Sequence, residues 1–512
     1  MLDVARFTRP LALAVLGAAL AGSVARAAED ETALTVYSSA RPGAVPADLY
    51  RPLPGSRQPS ASEVPGYALV RQDRSVMLDK GRSTLRFTDV AALIDPTTVT
   101  FTSLTDPHTR VVEQNFQFDL VSTDKLLLKY IDRPITVEQT SGTQTTTTEG
   151  TLLSSVDGLV LRDKSGTVHA LRNYATIAFP ELPGGLNTRP TLVWDVFAPK
   201  GGEQRARVSY QTGGITWWAD YNLTYSDGKD ANSGLVDLAA WVSLVNLSGA
   251  TYPDAALKLI AGDVNRLPAA PEAYAGLQTK AALARAEAAP PGFEEKAFFE
   301  FHLYTLGRRT TLPNSSTKQI ELFNPVRQIP AKKLLLYYGL ASVPFYGTPA
   351  TDRNAGVASN HKVDVYLDFK NDAQAGLGMP LPAGRIRVSK LDTADGGLEF
   401  IGEDQIDHTP KDERVRVKLG SAFDVVGERR QVDFAVDTRA HWLEEEIEIK
   451  LRNHKSEPVD VTVKETLYRW SNWTLISKTH DFEKNDSRTI SFPVTVPKDG
   501  ESVVRYRVRY TW

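Results

Sequence analysis

Arg414-Val415-Arg416-Val417-Lys418-Leu419 alternates cation and aliphatic residue without a break. In an extended chain successive side chains leave on opposite faces, so Val415, Val417 and Leu419 share one face while Arg414, Arg416 and Lys418 share the other. Such a segment is a β-strand with one face in a core and one in water. The same period of two recurs in Val363/Val365/Leu367/Phe369, Ile447/Ile449/Leu451 and Ile490/Phe492/Val494/Val496, and less cleanly around Val112 to Phe118. Turn signals punctuate the strands at Asp79-Lys80-Gly81, Asp227-Gly228, Asp395-Gly396-Gly397 and Lys498-Asp499-Gly500. Helical signal is sparse, the clearest being Ser122 placed to cap a short helix through Leu126, Leu127 and Tyr130. The pattern predicts an all-β, multidomain chain of immunoglobulin-like antiparallel β-sandwiches, with a small β-barrel-like unit and little helix.

Composition shifts divide the 512 residues into segments. Arg6 and Arg9, the apolar run from Leu11 to Ala21, and Ala25-Arg26-Ala27 have the order of a basic region, a hydrophobic region and a small-residue cleavage site. Residues 1–27 therefore read as a signal peptide, and the expected location is periplasmic or extracellular, with outer-membrane association open. The run is too short to span a bilayer, and no later run has that length, so no helical membrane span is expected. Next come a Pro-rich N-terminal segment (28–66) and a first β unit with the short helix (67–134). A small β-meander unit (135–190) and a β-sandwich region (191–267) follow. An Ala-rich linker (268–296) leads into a C-terminal β-sandwich region (297–512). Cysteine is absent, which removes disulfides, thiolate catalysis and Cys-ligated zinc. A net charge of −3 offers no basic field, so no nucleic-acid partner is expected.

Motifs for specific chemistry are weak. Ser122-Thr123-Asp124-Lys125 and Ser315-Ser316-Thr317-Lys318 fit Ser-x-x-Lys, but the companion Ser-Asp-Asn and Lys-Thr-Gly strings are missing. Eight histidines are scattered with no His-x-His pair or His-Glu-x-x-His, so no metal site is predicted. The Asp- and Gly-rich stretches near Asp227 and Asp392 lack the calcium-loop spacing and read as turns. Glu444-Glu445-Glu446 cannot aim three carboxylates at one site from a strand, and reads as a solvated strand start. No catalytic residue and no cofactor is assigned.

Aromatic residues are the better clue. Trp217, Trp218 and Tyr221 crowd one strand, and Trp470 and Trp473 another region. On a strand Trp217 and Trp218 face opposite sides, one toward the core and one outward, where it would stack on a sugar ring or anchor a protein partner. The last strand, ending at Trp512, alternates apolar residues with Arg505, Arg507 and Arg509. That is also the pattern of an outer-membrane β-barrel strand.

Gly184-Gly185-Leu186-Asn187-Thr188-Arg189-Pro190, Thr212 to Tyr221, Leu259-Ile260-Ala261-Gly262-Asp263-Val264-Asn265 and Val508 to Trp512 carry a resemblance. With them, the chain resembles the exported bacterial proteins of the domain-of-unknown-function 4139 family, distantly similar to mucoidy-inhibitor-like proteins. The resemblance implies an exported, largely β protein and brings no catalytic residue. The expected function is a non-enzymatic binding or scaffold protein whose partner is an unknown cell-envelope component, protein or glycan. A glycan-acting envelope hydrolase and an outer-membrane β-barrel stand as alternatives.

Overall fold

The computed structural model describes residues 30–38, 45–52, 60–117, 119–141, 144–262, 264, 293–340, 347–392 and 394–512. The leader at 1–27 lies outside the described residues, as do parts of the Pro-rich segment and most of the Ala-rich linker. The described chain is overwhelmingly strand, and its α-helices are Ala47–Tyr50 and Thr123–Lys129. The second begins where Ser122 Oγ accepts the backbone N–H of Lys125 at 3.3 Å. No helix among the described residues is long and apolar enough to cross a membrane.

Among the described residues four sheets form, of eight, five, three and thirteen strands. In the eight-stranded sheet, Glu31–Tyr37 pairs parallel with Tyr252–Ala261 and antiparallel with Tyr67–Leu78. Tyr67–Leu78 in turn pairs with Gly202–Thr212. One sheet thus draws strands from the Pro-rich segment, the first β unit and the 191–267 region, and the boundaries drawn at residues 66 and 190 cut through it. The physical reason is that composition marks where loops lie, whereas sheet membership is decided by pairing between segments far apart in sequence.

The segment 134–178 folds as an open five-stranded sheet around Ile135, Val137, Leu152, Leu159 and Leu161, capped by Leu127 and Tyr130. Its outer strands, Thr176–Ala178 and Val168–Leu171, do not pair with each other, and no sheet among the described residues closes into a barrel.

The thirteen-stranded sheet spans two cores. Strand Ser316–Tyr338 pairs with Ser233–Asn246 from Ser316 as far as Lys332. Its last residues then pair with Lys362–Lys370 on one side and, in parallel, with Val459–Thr466 on the other. Strand Arg414–Asp437 repeats the device, pairing first with Lys362–Lys370 and then with Trp442–Asn453. The larger core holds Trp194, Tyr210, Trp217, Tyr221, Phe369 and Val417. The C-terminal sandwich encloses Ile447, Val461, Phe492, Tyr506 and Tyr510. Val415 and Val417 face inward as their alternation requires.

The charged faces of these strands are paired ladders. Across Trp442–Asn453 and Gly500–Thr511, Arg509 meets Glu444, Arg507 meets Glu444, Glu446 and Asp433, and Arg505 meets Glu448. Glu448 also accepts from Arg430 Nε at 2.6 Å. Hydrogen bonds from Arg430 and then Arg505 hold the Glu448 carboxyl below its ordinary value, and Arg507 does the same for Asp433. A carboxylate whose folded pKa is depressed stabilises the fold at pH above its unfolded value near about 4, and that contribution is lost as pH falls through the folded pKa. Calorimetry is therefore expected to show a flat melting temperature from neutrality to about pH 5 and a fall below about pH 4. Glu448→Gln should lower the neutral melting point by no more than about 1 kcal/mol equivalent, since its arginines are half-exposed, and make the acid slope shallower. An unchanged acid slope would contradict this assignment.

Candidate functional site on the outer sheet face

Strand Ile215–Asp227 shows where the predicted aromatics go. Trp217 and Tyr221 point into the larger core with their polar tips satisfied. Trp217 Nε1 donates to the carbonyl of Ile260 at 3.2 Å, and Tyr221 Oη donates to that of Pro382 at 2.7 Å. Trp218 faces the other side, as alternation requires, yet is only 7% exposed. Helix Ala47–Tyr50 lies over it, with the Tyr50 ring centroid 5.3 Å away and Val45 and Leu49 completing the cover. Trp217, Trp218 and Tyr221 are therefore packing residues, not the exposed platform the sequence suggested. Trp470 and Trp473 sit half-buried against the separate C-terminal core. Trp473 Nε1 donates to the Ser487 carbonyl at 2.8 Å, and the Lys484 ammonium lies 5.0 Å from its ring centroid.

What Trp218 does is hold a carboxylate. Its Nε1 donates to Asp220 Oδ2 at 2.8 Å, Ser243 Oγ donates to the same oxygen at 2.7 Å, and Gln319 Nε2 donates to Ser243 Oγ at 3.1 Å. Asp220 is buried, and Arg387 and Arg385 approach its other oxygen at 3.5 and 3.8 Å. Arg385 also donates to the Tyr50 hydroxyl at 3.4 Å, which more than offsets burial and keeps its pKa above the ordinary arginine value. Arg387 leans on toward Glu403 at 3.6 Å. Gly384 makes this assembly possible, because a Cβ there would collide with the Ala219 carbonyl where the two strands run parallel.

Register sets these groups in rows across the outer face. Asp220 lies opposite Trp241 on one side and Arg385 on the other. Asn222 lies opposite Arg387, which faces Glu403, and Ser389 faces Phe400. Paired residues on neighbouring strands share a face, so Trp241, Asp220, Arg387, Glu403 and Phe400 look out together. Trp241 is 38% exposed and Phe400 61% exposed. Sequence reasoning missed both, together with Asp220, Arg385 and Arg387. A signal for Trp241 existed: Ala240 and Val242 on either side are core residues, and a strand must then turn Trp241 outward. No local signal joins Asp220 to arginines more than 160 positions away.

The carboxylate run resolves differently from its sequence reading. Glu444 and Glu446 lie on the paired outer face, but Glu445 is fully buried rather than solvated. It accepts from Arg469 Nε at 2.8 Å and Gln431 Nε2 at 3.1 Å, and Tyr510 Oη lies 3.3 Å away. Beside it, buried Glu465 accepts from Arg429 Nε at 2.8 Å and Tyr506 Oη at 2.5 Å. Burial pushes the Tyr506 and Tyr510 hydroxyls well above their usual value, so both remain donors. Arg469 spends its remaining donors on the carbonyls of Ala350, Asp352, Arg353 and Ala355, strapping that segment over the sandwich.

The other candidates are structural. Asp230 and Asp392 accept backbone N–H groups of Asn232 and Ala394 in turns. His169 bonds Asp163 at 2.9 Å and His302 bonds Glu295 at 2.7 Å. No cluster of three or more potential metal ligands occurs among the described residues. A cavity of about 250 Å³ on the five-stranded sheet is lined by Glu149, Arg162 and Lys164, of which Lys164 already pairs with Glu149 at 3.4 Å. Comparison of the chain with protein-family models, with curated proteins and with solved structures finds no match in any of the three.

Breaking a buried pair by removing one partner strands the other charge, at about 3–5 kcal/mol. Arg469→Leu is therefore expected to lower stability by about that amount in denaturant melts. Limited proteolysis should cut first within 350–355, where the carbonyls lose their donor. Adding Glu445→Leu should recover part of the loss, and a double variant no better than the single one would refute the pairing.

Proposed function

We propose that this chain is an exported, non-enzymatic protein of the bacterial cell envelope, periplasmic or extracellular, that binds an envelope component through the outer face around Trp241 and Arg387. The observation that carries the reading is Trp241, a large aromatic 38% exposed on the outer face beside a cluster that is already internally bonded. Fixed aromatic and arginine side chains are the usual anchors of recognition, because they present large area at small entropic cost. The export half of the reading rests on the leader pattern of residues 1–27 and the likeness to the domain-of-unknown-function 4139 proteins. Against the hydrolase alternative, the buried carboxylates Glu445 and Glu465 are each committed to an arginine. A glycosidase needs two carboxyls free to act on one bond.

Co-sedimentation of the purified protein with isolated bacterial envelopes tests the proposal. Trp241→Ala is expected to weaken association roughly ten-fold or more, as anchor aromatics do. Its melting temperature should barely move, because the side chain is not part of either core. Association that survives the substitution would move the contact surface elsewhere.

A further inference from the structure

Two exposed aromatics on one sheet face invite a question about what spans them. Trp241 and Phe400 are separated by three strand-to-strand steps and by two rows along the strands. With about 4.8 Å between strands and about 3.3 Å per residue, the diagonal is about 20 Å. Between them lie Asp220, Asn222, Arg387 and Glu403, all polar. Resting on the binding reading above, we infer that the ligand is an uncharged sugar chain lying along this diagonal, one ring on Trp241 and a later one on Phe400.

Three features select that occupant. The face carries no cationic excess: Asp220 is matched by Arg385 and Arg387, Arg387 by Glu403, and Glu321 lies directly across from Trp241. A polyanion would find no uncompensated cationic field there, and counterion release would contribute little. The apolar surface lies at two separate places, Trp241 at one end and Phe400 with its exposed neighbours Leu391 and Leu398 at the other, and a polar floor lies between them. Sugar hydroxyls both donate and accept, and the floor offers both roles: the Asn222 amide, the Arg387 guanidinium and the Glu403 carboxylate. The C–H face of a pyranose ring meanwhile matches an aromatic plane. Helix Ala47–Tyr50, bonded to Arg385 through Tyr50, closes the face beyond Trp218 and fixes one wall of the track.

Envelopes themselves serve as the probe. Native protein is expected to co-sediment with envelopes treated with protease or stripped of lipid, and to lose association after periodate opens the sugar diols. Association should persist in 1 M salt, where screening acts within about 3 Å. Phe400→Ala should weaken it by a factor similar to Trp241→Ala, roughly ten-fold. Retention after periodate, loss after protease, or release by salt would overturn the sugar-chain inference while leaving the binding reading intact. An unaffected Phe400→Ala variant would overturn the diagonal track. If native protein binds no envelope preparation, the underlying binding reading fails, and this inference fails with it.

Discussion

Hydrogen bonding along Ser316–Tyr338 is the constraint from which the rest of the architecture follows. This strand is bonded to Ser233–Asn246 in the larger unit and to both Lys362–Lys370 and Val459–Thr466 at the seam of the C-terminal sandwich. An ordinary strand of five or six residues belongs to one core. One of 23 residues passes from the first core to the second without a loop, and Arg414–Asp437, with 24, does so again alongside it. Two continuous strands crossing together join the cores through one sheet, and the outer face carrying Asp220 belongs to the same hydrogen-bonded lattice.

Within that lattice, which contains no cysteine, the fixed long-range links are buried charge pairs. Arg429–Glu465 and Arg469–Glu445 are almost wholly removed from water. Desolvating four charges costs several kcal/mol per ion, so these pairs are weak contributors to net stability. Their effect is on specificity. Arg469 accepts only an arrangement in which Glu445 and the carbonyls of Ala350, Asp352, Arg353 and Ala355 converge on it. An apolar residue of similar volume would tolerate many placements of that segment. The cluster around Asp220 follows the same logic nearer the surface, where Trp218, Ser243 and the two arginines hold one carboxylate in place.

Period-two alternation made the strands legible, because each half-buried strand must place its apolar residues on one side. Val415/Val417 and Ile490/Phe492/Val494/Val496 lie in their cores as read. Sheet order was not legible. Glu31–Tyr37 falls in the segment read as Pro-rich, ahead of its first proline at Pro42, yet is a central strand, and its partners begin at residues 67 and 252. Alternation put Trp217 and Trp218 on opposite sides of the sheet, but it gives only the side and cannot say that helix Ala47–Tyr50 will cover the one that Trp218 faces. Likewise Arg469 reads as a surface cation, and only the fold supplies the buried Glu445 that receives it.

The same reasoning explains why the exposed face escaped notice. A recognition surface on a sheet is built from single residues on several strands, each unremarkable in its own segment. Trp241, Arg387 and Phe400 come from three strands and meet only through two antiparallel pairings and one parallel pairing. The parallel pairing of Ile215–Asp227 with Gly384–Leu391 depends on Gly384, which lets the backbones approach beside Tyr221. Core packing of Tyr221 from below and the placement of Arg385 and Arg387 from above are thus two sides of one strand contact. A rigid core is what gives the outer face a fixed geometry, and a fixed geometry is what allows scattered polar and aromatic groups to act on a ligand together.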